Sequence, residues 1–115
     1  MELKGSKTEK NLWAAFAGES QAHTKYQYFA SQAKKDGFVQ IQNIFAETAK
    51  NEKEHEERYK LLLINVEEEK VFKKDEKVIW QCSNCGYVCT GEEAPEVCPV
   101  CAHPRDHFQI LPQNY

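Results

Sequence analysis

The first 66 residues contain neither proline nor cysteine, and only three glycines, at positions 5, 18 and 37. The residues that most often break a helix are thus nearly missing from over half of this 115-residue chain, which leaves long helices as the expectation there. Long apolar runs are missing too. The longest, Trp13 to Ala17 and Leu61 to Ile64, fall far short of the roughly 20 residues a bilayer-spanning helix needs. The opening MELKGSKTEK has no apolar stretch of the kind a secretory signal carries. Nor is there a surplus of positive charge: 15 Lys+Arg against 18 Asp+Glu leave a net −3, which offers nothing to nucleic acid or to an anionic membrane. Together these absences predict a cytoplasmic protein with no nucleic-acid and no membrane partner.

What is present is unevenly placed. Residues 78–112 hold all five cysteines, all four prolines and the other two glycines. In a chain expected to stay in a reducing compartment, such clustered cysteines indicate metal ligands or reactive thiols rather than disulfides. Between the two compositions, the charge runs Glu67–Lys70 and Lys73–Lys77 flank Val71-Phe72 and read as a solvated linker whose one docking residue is Phe72. The expected division is therefore a helical module over 1–66, a linker over 67–77 and a metal-stapled module over 78–115. The last is too short to fold on its apolar core alone.

Within the front module, Ser6-Lys7-Thr8-Glu9 fits a capping box. Good helix formers run from there to Lys35, where Asp36-Gly37 supplies a left-handed stop; a second helix is expected from about Phe38 to Ile64 or Val66. Steps of four and three draw one inward stripe on each helix. The first stripe carries Leu12, Phe16, Glu19, His23, Tyr26, Ala30 and Ala33; the second carries Ile41, Phe45, Thr48, Glu52, His55, Tyr59 and Leu62. Ionisable groups interrupt both near the middle. Counted from the Asp36-Gly37 turn at about 1.5 Å per residue, Glu19, Glu52 and His55 all lie roughly 25 Å away, at one level of an antiparallel hairpin.

Carboxylates buried at one height need a shared partner, and a metal is the partner this set suits. Glu52-Lys53-Glu54-His55 is a Glu-x-x-His that puts both side chains on one helix face. Di-iron carboxylate bundles use such a pair from each of two helices and a single Glu from each of the other two. One hairpin supplies half of that set, and two helices cannot bury their own seam. A homodimer answers both needs, with a di-metal site at its two-fold axis. Glu47, Glu54, Glu56 and Glu57 fall off the stripe and read as a wet face. His23, one turn from Glu19, could approach the metals or pair with a carboxylate, direct ligation being the less expected role; Tyr26 and Tyr59 read as core residues near the ligands.

In the back module, Cys82-x-x-Cys85 and Cys98-x-x-Cys101 stand twelve residues apart and offer four thiolates to one tetrahedral ion. A structural zinc ribbon and a redox-active mononuclear iron centre share this ligand set. Gly86 follows the first hook, where a chain wrapping a metal needs positive φ or close approach. Cys89 is left over.

These segments resemble rubrerythrin. The stretch from LKGSKTEKNLWAAFAGESQAH through NEKEH is similar to its first helical hairpin, and WQCSNCGYVCTGEEAPEVCPVCAHPRDHF to its rubredoxin-like iron domain; AFAGES, EKEH, CGY and CPVCAHP carry the likeness. The resemblance implies a mainly α fold, in which a hairpin completes a ferritin-like four-helix bundle by homodimerisation beside a small β-rich rubredoxin-like domain. It implies a non-haem peroxidase that reduces hydrogen peroxide at a di-iron site held by Glu19, Glu52 and His55. Electrons would be relayed through an Fe(Cys)4 centre of Cys82, Cys85, Cys98 and Cys101, with zinc as a possible substitute. An outside donor, rubredoxin or an NAD(P)H-dependent reductase, would supply them. A ferroxidase or dioxygen-reducing protein on the same site, and a non-enzymatic zinc-ribbon dimerisation adaptor, are the alternatives. Two departures stand out. The family carries two helix pairs, and HEERYKLLLINVEEEKVFK resembles the end of its fourth helix, as though the middle were left out. Where the family has an extra Glu this chain has Ala22, and His23 stands where relatives often have Arg.

Overall fold

The computed structural model describes residues 3–111. Two helices, α1 (Lys7–Lys35) and α2 (Val39–Glu67), precede a small sheet of β1 (Lys73–Cys82), β2 (Val88–Glu93) and β3 (Phe108–Ile110), with one 3-10 turn at Arg105–His107. The chain divides into two units, residues 5–63 and the residues from Ile64 onward together with 3 and 4.

Ser6 starts α1 by accepting a hydrogen bond from the Glu9 amide at 3.1 Å, which satisfies one of the donors a helix start leaves unpaired. The helix ends in a Schellman arrangement: the Gly37 amide donates to Lys34 O (3.1 Å) and the Phe38 amide to Ala33 O (2.9 Å). Gly37 sits at φ 87°, a left-handed conformation that a residue without Cβ adopts at little cost. The chain then reverses. Contacts that rise along α1 fall along α2, Glu19 meeting His55, His23 meeting Ala49, and Tyr26 and Phe29 meeting Phe45, so the pair is an antiparallel hairpin.

The hairpin covers little of its own apolar surface. In residues 5–63 the buried apolar side chains are Ala30, Ala33, Ala49 and Leu63, mostly small, while Phe29, Phe38, Ile41 and Ile44 stay more than 40% exposed. Ile41 belongs to the inward stripe of α2, yet it lies open in a groove with Phe29, Phe38 and Phe45. Glu56, expected on a wet face, is instead half-buried and pairs with Lys53 at 3.4 Å. The i, i+3 spacing lets the lysine reach it.

α2 ends with the same pattern as α1, the Lys70 amide reaching Asn65 O (2.7 Å) and the Glu69 amide Val66 O (3.2 Å). Here the left-handed position, φ 58°, falls to Glu69 rather than to glycine. The charged run Lys73–Lys77, expected in a solvated linker, is the first half of β1. Ladder pairing overrides its composition: Lys73 pairs with Glu93, and an irregularity absorbs the extra residues before Val78. The sheet is antiparallel with order β2-β1-β3. Along β1 the pleat turns Val78, Trp80 and Cys82 inward and leaves Ile79 exposed, as a half-buried strand requires. Trp80 is fully buried, its indole N–H donating to Gly91 O at 3.0 Å. Around it gather Cys82, Ala94, Cys98 and Phe108, with Phe72 packed against the cluster. Phe72 also accepts the Ala94 amide at 2.8 Å.

Candidate metal centres

Midway along the hairpin, one turn-spaced pair on α2 faces a single carboxylate on α1. His55 Nδ1 lies 3.6 Å from Glu19 Oε1 and 3.9 Å from Glu52 Oε2. One ligand atom from each of the three lies within 4.8 Å of the others, a spacing that suits a single ion between them. Glu19 Oε2 is shielded from solvent and has no hydrogen-bond partner, a costly state for a carboxylate oxygen. A cation at this position would relieve it. The hydrogen bond with Glu52 raises the Glu19 pKa above the ordinary carboxyl value, helped by burial and by the Glu52 charge and opposed by His55. Two carboxylates and an imidazole are a hard-to-borderline donor set, which fits iron. The three residues do not close around an ion: His55 remains 56% exposed, against 22% for the Glu19 side chain and 23% for Glu52.

His23 does not join them, and it pairs with no carboxylate. Its Nδ1–H donates across the hairpin to the backbone oxygen of Ala49 at 2.7 Å, because the spacing that aligns it with Glu19 also brings it against the neighbouring turn of α2. Ala22 is half-buried. Tyr26 stacks on Phe45 with ring centroids 6.1 Å apart, and Phe29 closes on the same ring at 5.6 Å. Tyr59 is half-buried.

The second centre is built from two copies of one turn. In the first, the Cys82 amide donates to Tyr87 O (2.8 Å) and the Gly86 amide to Cys82 O (2.9 Å). In the second, the Cys98 amide donates to His103 O and the Ala102 amide to Cys98 O, both at 2.9 Å. The residue after each hook is left-handed, Gly86 at φ 85° and Ala102 at φ 63°. The copies bring Cys82 Sγ to 3.7 Å from Cys101 Sγ and Cys85 Sγ to 3.6 Å from Cys98 Sγ. A tetrahedral ion with metal–sulfur bonds of about 2.3 Å has sulfur–sulfur edges of roughly 3.8 Å, so the four thiols fit one ion. Without it their protons are unevenly held. The Asn84 side chain, then the His103 backbone, pull Cys101 down to about 5. The Tyr87 backbone lowers Cys85, but burial and the other three thiols outweigh it and push that thiol up to about 12. Cys89 stands outside the set, half-buried in β2 and raised by that burial and by Cys98.

Two participants carry no sequence signal of their own. Asn84, inside the first hook, also donates from Nδ2 to His103 Nδ1 at 3.2 Å. Ala102 becomes visible only when the two hooks are aligned and its position is seen to match that of Gly86.

The rubrerythrin family model matches residues 10–83, and the model for the rubrerythrin rubredoxin-like domain matches residues 80–109. The chain belongs to the rubrerythrin family. Rubrerythrin-1 of Clostridium acetobutylicum is 35% identical over an alignment of 192 residues covering 98% of both chains. Against a chain of 115 residues, such an alignment carries a long internal stretch with no counterpart here. Rubrerythrin of Porphyromonas gingivalis is 48% identical over 109 residues, 94% of this chain and 54% of that one. The putative rubrerythrin of Methanocaldococcus jannaschii is 46% identical over 109 residues, with 94% and 53% covered. The chain thus spans about half the length of these last two relatives. Among solved structures, fully reduced, all-ferrous nigerythrin aligns with a TM-score of 0.49 at 28% identity, over 89% of this chain and 48% of that one. Rubrerythrin membership together with the rubredoxin-like thiol cluster implies iron. Among the described residues, no helix is long and apolar enough to cross a membrane.

Proposed function

We propose that this short rubrerythrin is a hydrogen peroxide reductase that works as a homodimer. Two hairpins form the bundle, and Glu19, Glu52 and His55 of each copy hold a di-iron pair. The observation that carries this reading is the half-built state of the helical site. Its ligand atoms converge and one carboxylate oxygen is shielded without a partner, yet His55 lies open, on a hairpin that leaves large apolar side chains uncovered. A second copy supplies the missing ligands and the missing cover with one surface.

Iron, when bound, supplies the electrons that reduce the peroxide O–O bond. The rest falls to the chain. Glu19, whose pKa is raised in the metal-free hairpin, gives up its proton when a cation takes its place. The rings of Tyr26, Phe29 and Phe45 pack on one another across the hairpin, nearer its turn. Cys82, Cys85, Cys98 and Cys101 would hold a mononuclear iron, which would supply one-electron transfer from an outside donor, rubredoxin or a nicotinamide-dependent reductase. The exposed Cys85 puts that centre at the surface of its own unit, where a donor has access.

The test is peroxide turnover with a chemical reductant in the iron-loaded protein. Turnover should fall to background in Glu52→Ala, and the reduced parent should be reoxidised faster by peroxide than by dioxygen. Full activity in Glu52→Ala, or the reverse preference for oxidant, contradicts the assignment.

A further inference from the structure

The hydrogen bond from His23 to Ala49 lies one turn from the ligands on both helices. His23 follows Glu19 by four residues and Ala49 precedes Glu52 by three, and their 2.7 Å contact joins positions 26 apart in sequence. Ala49 is almost completely buried, so water does not compete well for its carbonyl oxygen. We infer that His23 is a positioning residue for the helical metal site: by tying the two backbones together there, it holds the Glu19 carboxylate at the distance from Glu52 and His55 that one ion requires. This rests on the reading of those three residues as ligands.

Side-chain packing alone fixes that distance poorly. Alanines at 30, 33 and 49 fill the seam, and such short side chains let two helices slide and rotate with little steric resistance. The aromatic contact of Tyr26, Phe29 and Phe45 restrains the hairpin nearer its turn and lines a different groove from the one beside His23. The His23 bond is directional and ends on a backbone oxygen one turn from the ligands. Because the carbonyl can only accept, Nδ1 is the ring nitrogen that carries the hydrogen of this bond.

The experiment uses the full chain preloaded with one zinc per thiolate centre and titrated with Co(II), well below its thermal transition. Asparagine places Nδ2 as many bonds from Cβ as histidine places Nδ1, whereas phenylalanine keeps the ring and loses the donor. Supporting groups around a metal site typically change affinity by 10–100-fold, so His23→Phe should weaken Co(II) binding by about tenfold. His23→Asn should stay within about threefold of the parent. Thermal unfolding of the metal-free forms, followed by helical circular dichroism, reads the purely structural contribution separately. If His23→Phe lowers only the transition temperature and binds Co(II) like the parent, the inference fails while the site assignment stands. It fails equally if the Asn and Phe variants lose the same affinity. A parent that takes up no Co(II) beyond its thiolate centre overturns both the site assignment and the inference.

Discussion

Glu19 on α1 and His55 on α2 approach to 3.6 Å, yet the other oxygen of Glu19 is shielded from solvent and has no partner. A contact that satisfies only one edge of a half-buried carboxylate leaves an incomplete site. A cation has the chemistry of that missing partner, and His55 leaves one flank of the site exposed.

The metal-free hairpin should respond to pH in the opposite direction from most carboxylate contacts. Glu19 has a raised pKa, so the folded chain binds its proton more tightly than the unfolded chain. Stability contributed by that proton is present at low pH and declines as pH rises through the Glu19 range. Metal competes for the same oxygen, so affinity at the helical site should weaken as pH falls. Paired melts of metal-free and Co(II)-loaded protein across the acidic range should show stabilities that converge at low pH.

Removing metal from the thiolate centre should open the back module and leave the helices intact. Two of its ligands, Cys82 and Cys98, sit in the same buried cluster as Trp80 and Phe108, so ligand loss is core loss. In a Trp13→Phe background, chelation should shift Trp80 emission to the red while the helical circular dichroism is retained.

The two left-handed positions without glycine among the described residues should each gain from it. A left-handed conformation costs an L-residue on the order of 1 kcal/mol, so Ala102→Gly and Glu69→Gly should each stabilise by up to about that much. Gly86→Ala should lose a similar amount. Open space surrounds the added Cβ, which makes the loss one of backbone alone. Thermal melts of the metal-loaded forms check all three.

Placing charge in the open apolar groove should separate the two centres. Ile41→Glu, beside Phe29, Phe38 and Phe45, should shift sedimentation toward the monomer and remove metal binding at Glu19, Glu52 and His55. The thiolate centre should keep its visible spectrum.

The helix ends and both ligand clusters were legible because each rests on local spacing. A serine cap, an Asp-Gly stop, an i, i+3 pair and two Cys-x-x-Cys hooks are short patterns with one geometric meaning. Strand β1 was not, since its first half reads as a charge run and becomes a strand only through pairing with β2. The partner of His23 was not either. A backbone carbonyl on another helix has no residue type to announce it, so the sequence left the role of a histidine on an inward stripe open. Ala102 hides a strained conformation behind a residue that does not advertise one.

Native mass spectrometry of the iron-loaded protein tests the central claim most directly, because it reads chain number and metal content in one species. The account predicts a dimer, or a multiple of it, carrying two irons per chain, one at the thiolate centre and one in the shared helical site. Glu52→Ala should then lose the helical iron and keep the other. A folded monomer holding a single iron, unchanged by Glu52→Ala, would contradict it.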